Sequence, residues 1–131
     1  VIGLDTNVLV RFLVEDDPEQ TERARSLLRR VVDADGRCYV SEVVVCEVVW
    51  VLQSTYRFPK TQVVDVLGKL LRTRHLAFPS PDRIRRALDA YTAGKGDLPD
   101  YLIREQARDA GFERVATFDK ALHDTPGFEA L

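Results

Sequence analysis

Five acidic residues draw attention by where they fall in the chain. Asp5 follows the short run IGL in VIGLDTNVLV, and Thr6 and Asn7 come after it before apolar residues resume. Asp97 and Asp100 open GDLPDYLI just after a Gly94-Lys95-Gly96 loop, and Asp119 follows RVAT in VATFDKAL. Glu47 lies inside VVVCEVVWVL, with four apolar residues before it and five after. Carboxylates gathered at one sheet edge repel one another unless they are protonated or bridged by cations. The only histidines, His75 and His123, are far apart, and Cys38 and Cys46 form no CxxC pair, so the pattern lacks a zinc signature. Oxygen ligands alone point to a hard ion such as Mg²⁺ or Mn²⁺. Ions of that kind, held by carboxylates, serve the hydrolysis of phosphodiesters.

Each acid also has a plainer use. Asp5 can start an Asx-turn. Asp97 suits a helix N-cap, and that role stands ahead of ligation for it. Asp100, three residues on, completes a capping-box pattern, and for it capping and ligation stand level. Asp119 can cap a last short helix. Glu47 has the weakest structural explanation. A helix puts Val43, Glu47, Trp50 and Ser54 on one face, which is not an obviously solvated stripe. A carboxylate buried there needs a metal or a partner such as Arg11. Glu42, at the start of the same helix, is expected to face water and ranks below Glu47.

The elements that must position these residues alternate. Strands are expected at Val1 to Leu4, Cys38 to Val40, Leu76 to Phe78 and Arg114 to Thr117, with a last one in GFEAL. Helices are expected from Pro18 to about Asp33, from a Ser41 cap to about Tyr56, and from Lys60 to about Arg72. Others run from Asp82 to about Thr92 and from Asp97 to near Gly111, with a short one from Phe118 to His123. Val8 to Val14 fits helix or strand locally and reads best as a first helix returning to the core. Alternation of this kind argues for an α/β fold with a mainly parallel central sheet, in a single domain over residues 1–131. Ligands of open α/β sheets bind beyond the carboxyl ends of the strands, where Asp5 and Asp119 fall.

Composition is that of an ordinary globular protein, with 45% apolar and 31% charged residues. A net charge of -2 excludes a generally basic nucleic-acid coat but leaves room for local basic patches. No run approaches a membrane span, and no secretory signal is visible. A cytoplasmic location is expected, with both cysteines as small buried side chains. There is no methionine, so a short piece is expected before Val1.

DTNVLV after a short strand, a Glu within an apolar helix, DYLI in a later helix and TFD after a late strand together resemble the PIN-domain ribonucleases. Within them the VapC-type toxins of toxin–antitoxin modules are the nearest match. The resemblance runs through nearly the whole chain, and it rests on the ordered set rather than on any one motif. It implies an α/β/α sandwich and a Mg²⁺- or Mn²⁺-dependent endoribonuclease, usually dimeric, with a cognate antitoxin. Asp5, Glu47, Asp100 and Asp119 match the family's four acids, and Asp97 is an extra one whose ligation is doubtful. Thr6, Asn7 and Thr117 match polar residues that support them. The resemblance leaves the RNA target open.

Two rivals remain. A haloacid-dehalogenase-like phosphatase or a receiver domain also places an early Asp after a strand. The phosphatase wants a second Asp where this chain has Asn7, and neither accounts for Glu47. A non-catalytic PIN-like module would bind RNA or protein only. The arginines at 23, 25, 29 and 30 and at 83, 85 and 86 could follow phosphates, but are expected mostly to pair with nearby acids. The apolar helices from Val43 to Leu71 could serve wholly as core or partly as a dimer or antitoxin surface.

Overall fold

A computed structural model describes residues Val1–Leu131 and groups them into two compact units, Val1–Pro79 and Ser80–Leu131. The first contains β1 (Ile2–Gly3), α1 (Thr6–Leu13), α2 (Pro18–Asp33), β2 (Cys38–Tyr39), α3 (Glu42–Ser54), α4 (Lys60–Leu71) and β3 (Leu76–Ala77). Its strands pair in the order β1-β2-β3, all parallel, with Ile2 opposite Cys38 and Cys38 opposite Leu76. The strands are short, but the ladder continues past them. Leu4 N donates to Tyr39 O at 2.9 Å and Val40 N to Ala77 O at 2.8 Å.

Helix starts follow local chemistry. Asp17 Oδ1 accepts from Gln20 N at 3.0 Å with Pro18 in the first turn, so α2 begins where its sequence says. Ser41 Oγ accepts from Val44 N at 3.1 Å and starts α3. The stretch from Val8, open between helix and strand, is helical as α1. Leu9 and Val10 are its buried residues.

Helix α3 is rotated so that Val45, Val48, Val49 and Leu52 are buried. That is an i, i+3, i+4, i+7 stripe, and burying each such side chain is worth roughly 1.5–3 kcal/mol. The stripe turns the opposite face outward. Val43 and Trp50 are each 67% exposed, and Glu47 and Ser54 lie on the same outer face. Two expectations are corrected here. Glu47 is not a buried carboxylate, and Arg11 is not its partner, since Arg11 bonds Asp16, Gln20 and Tyr56. Glu42, expected in water, is buried at 7% exposure. The stripe of three valines and a leucine was stronger than the face through Glu47, and it set the rotation.

The second unit contains α5 (Pro81–Ala93), α6 (Leu98–Asp109), β4 (Val115–Thr117), a 3₁₀ turn (Lys120–Leu122) and β5 (Phe128–Ala130). β4 and β5 pair in parallel, so GFEAL does supply the last strand. Helices α5 and α6 bury Ile84, Ala87, Leu88 and Tyr91 on one and Leu98, Tyr101, Leu102 and Glu105 on the other. Glu105 is 1% exposed and takes bonds from Arg86, Arg104 and Arg108. Every strand pairing in the chain is parallel, as the alternating pattern required.

Candidate functional site

In the first unit Asp5 stands just beyond β1 in extended conformation and caps α1. Its Oδ1 accepts from Val8 N at 3.1 Å, which fixes the side chain and leaves Oδ2 unspent. Thr6 and Asn7 form the first helical residues behind it. Asp5, Asn7 and Val8 line a cleft of about 520 Å³ whose other wall is α2, with Gln20, Arg23, Leu27 and Arg30. Arg11 also reaches this cleft, but it is bonded to Gln20 Oε1 at 2.7 Å and paired with Asp16. Glu47 lies on the outer face of α3, away from the buried stripe. Its neighbour Cys46 has its thiol pushed up to about 11, by burial first and then by the charges of Glu42 and Glu47. That thiol is no nucleophile near neutral pH.

In the second unit the loop Gly94-Lys95-Gly96 folds over the Tyr101 hydroxyl, which accepts from Gly96 N at 2.9 Å. A Cβ on Gly94 would overlap that hydroxyl and the ring behind it, so the approach demands glycine. The loop delivers the chain to Asp97, which caps α6. Asp97 and Asp100 form the capping box foreseen from GDLPDYLI, and its strong half is a 2.8 Å bond from Asp97 N to Asp100 Oδ2. Asp119 follows β4. Its own N–H donates to Thr117 Oγ1 at 3.0 Å, and its Oδ1 accepts from Ala121 N at 2.9 Å.

Asp100 feels its neighbours. Burial pushes the Asp100 carboxyl above its ordinary range, and the negative charges of Asp97 and Asp119 push it the same way, against the bond from Asp97 N–H. The second unit therefore brings Asp97, Asp100 and Asp119 within electrostatic reach. In the first unit Asp5 lines the cleft and Glu47 is exposed on α3. Taken unit by unit, no three or more His, Cys, Asp or Glu side chains stand in a ligating arrangement. Asp97, Asp100 and Asp119 offer only carboxylate oxygens, the donor type that hard divalent ions take.

Sequence reasoning missed two features. Glu105 lies in REQARD and looks like a surface acid, yet it is buried among arginines. Its spacing from Arg108, i to i+3, was the available signal. Arg23 and Arg30 read as part of an undifferentiated cluster. The structure separates them, because Arg25 pairs with Glu15 and Arg29 with Glu22 at 2.6 Å, while Arg23 and Arg30 have no partner.

A family model described as the PIN domain matches residues 2–127. The chain is 25% identical over 117 residues to a VapC ribonuclease of Aquifex aeolicus (strain VF5), covering 89% of this chain and 86% of that protein. A solved toxin–antitoxin complex from Klebsiella pneumoniae is 19% identical and covers 98% of this chain and 94% of its own, at a TM-score of 0.34, which carries no structural argument. With the family model spanning almost its whole length, the chain belongs to the PIN-domain family.

Proposed function

We propose that this protein is an endoribonuclease dependent on Mg²⁺ or Mn²⁺ and the toxin of a toxin–antitoxin pair. The observation that carries the reading is the match of the PIN-domain model to residues 2–127, a span that contains Asp5, Glu47, Asp100 and Asp119. Likeness to a VapC ribonuclease supports the choice of RNA as substrate. Asp5, Glu47, Asp100 and Asp119 are the residues proposed to hold the ion, and Thr6, Asn7 and Thr117 to support them. Asp97 serves first as the cap of α6.

The protein's own part is legible in the caps. Asp5, Asp100 and Asp119 each spend one carboxylate oxygen on a backbone N–H and keep the other free. Each is thus a pre-oriented, one-oxygen ligand. That suits a small octahedral ion which keeps several waters better than it suits Ca²⁺, which takes two-oxygen carboxylates readily. Thr117 holds the Asp119 backbone in place. When bound, the ion supplies Lewis-acid polarisation of the phosphate and acidifies water to a nucleophile near neutral pH. No histidine, cysteine or serine is needed for proton transfer in this scheme.

A cognate antitoxin and a second copy of the chain are the proposed protein partners. Exposed Val43 and Trp50 on α3 support the presence of a protein-binding face. No helix is long and apolar enough to cross a membrane, and the cytoplasm is the proposed location. The test is purified protein with total RNA and Mn²⁺, followed by mapping of the cut ends. Cleavage that survives EDTA, or that survives in a folded Asp100→Asn variant, defeats the proposal.

A further inference from the structure

Helix α2 carries Arg23, Arg25, Arg29 and Arg30, but they do not share one fate. Arg25 and Arg29 are bound to acids of the same unit. Arg23 and Arg30 are exposed, have no partner, and both line the cleft that contains Asp5 and Asn7. They are seven residues apart, so they lie on nearly the same face of α2, about 10 Å from one another along its axis. That distance spans about three stacked nucleotides at ~3.4 Å each. The floor between them is apolar, formed by Ile2, Val8, Ala24 and Leu27. A smaller cleft of about 250 Å³ continues past Arg30 to Gly36, sharing Ile2 and Leu27.

We infer that this cleft is a binding track for a single RNA strand, in which Arg23 and Arg30 hold backbone phosphates and lead the strand to Asp5. The inference rests on the nuclease reading above and names where that enzyme grips its substrate. Two guanidiniums without carboxylates are the expected anchors for phosphates, since each keeps its full fork of donors. Asp5 is the cleft's one carboxylate, and a cation held there would offset its repulsion of the strand. The net charge of the chain is -2, so attraction must be local, and this pair of free arginines supplies it. Phosphate contacts carry no sequence information, so Arg23 and Arg30 set affinity and register rather than target choice.

The test measures binding of a fluorescein-labelled, random-sequence 20-nucleotide RNA by anisotropy in EDTA, across a series of salt concentrations. The Arg23→Gln/Arg30→Gln variant is expected to bind more weakly, with a salt slope shallower by roughly 1.4, about 0.7 for each phosphate no longer neutralised. Arg25→Gln/Arg29→Gln removes the same charge from the same helix and is expected to keep the wild-type slope. Equal slopes for wild type and Arg23→Gln/Arg30→Gln, or equal losses in both double variants, overturn the track. Cleavage of total RNA with Mn²⁺ is read in parallel. A wild type that binds through Arg23 and Arg30 but never cuts RNA keeps the track and sinks the nuclease. A wild type that cuts RNA while the slope ignores Arg23 and Arg30 does the reverse.

Discussion

Glu105 offers the sharpest quantitative test of how the second unit is held together. It is 1% exposed and accepts from Arg86 Nε at 2.8 Å, Arg104 Nε at 3.0 Å and Arg108 at 3.2 Å. Arg86 also reaches Asp109 at 2.7 Å, and Arg104 reaches Pro126 O at 3.0 Å, so one carboxylate ties α5, α6 and the segment before β5. Removing one partner of a buried ion pair costs about 3–5 kcal/mol, because the remaining charges lose their compensation. Here Arg86 and Arg108 are 41% and 54% exposed and recover water, which puts Glu105→Gln near the low end, about 3 kcal/mol. With an unfolding entropy of about 2.1 cal/mol/K per residue over 131 residues, that lowers Tm by about 11 °C. The acid limb gives an independent signature. Burial pushes the Glu105 carboxyl up, but the Arg86 and Arg104 bonds and the nearby charges outweigh it and hold it below its ordinary value. The folded state therefore binds fewer protons than the unfolded state around the ordinary Glu range. This stabilisation is complete above that range and is lost as pH falls through the lower folded value. Scanning calorimetry from pH 7 down to about pH 3 should show the wild type losing Tm more steeply than Glu105→Gln. A variant that melts within about 2 °C of wild type and shows the same acid slope would falsify the account.

Three further outcomes follow from the site. Mn²⁺ should raise the Tm of the wild type and not that of Asp100→Asn, while Asp100→Asn without metal should be at least as stable as wild type, since a repelled charge is removed and the amide oxygen still caps. Absence of any metal-linked shift in wild type counts against the ion. In metal-free protein, carbon-13 NMR of Asp100 should titrate above the ordinary aspartate range, and Asp119→Asn should move it down; an unmoved value refutes the coupling. Gly94→Ala should cost about 1–3 kcal/mol by pressing on the Tyr101 hydroxyl, and should also weaken Mn²⁺ binding, because the loop leads directly into Asp97 and Asp100. Wild-type stability in that variant contradicts the glycine argument.

Most element positions were legible because their signals are local. Pro18, Ser41 and the Asp97/Asp100 box each act within one helical turn, and all three began helices as read. The acids beyond β1 and β4 were legible too, since strand ends are punctuated by polar residues. What failed was rotation. Glu47 and Glu42 exchanged places between water and core because the turn of α3 depends on which stripe packs better, and a helix that is apolar nearly all round leaves several candidates. The arginines show the same limit. Which of four neighbours on α2 finds an acid depends on Glu15, in the loop before the helix, and on Glu22 within it.

The caps carry a genetic consequence. Asparagine caps a helix about as well as aspartate. At Asp5, Asp100 and Asp119 a single-base change to Asn therefore removes a negative charge while leaving the hydrogen bond that orders the backbone. Nothing in the folding equilibrium penalises such a change, so proofreading by chaperones and proteases would pass the silent protein. Any selection that keeps these aspartates therefore acts on what the carboxylates do rather than on folding, and each position is one base away from an abundant, well-folded chain that lacks the charge.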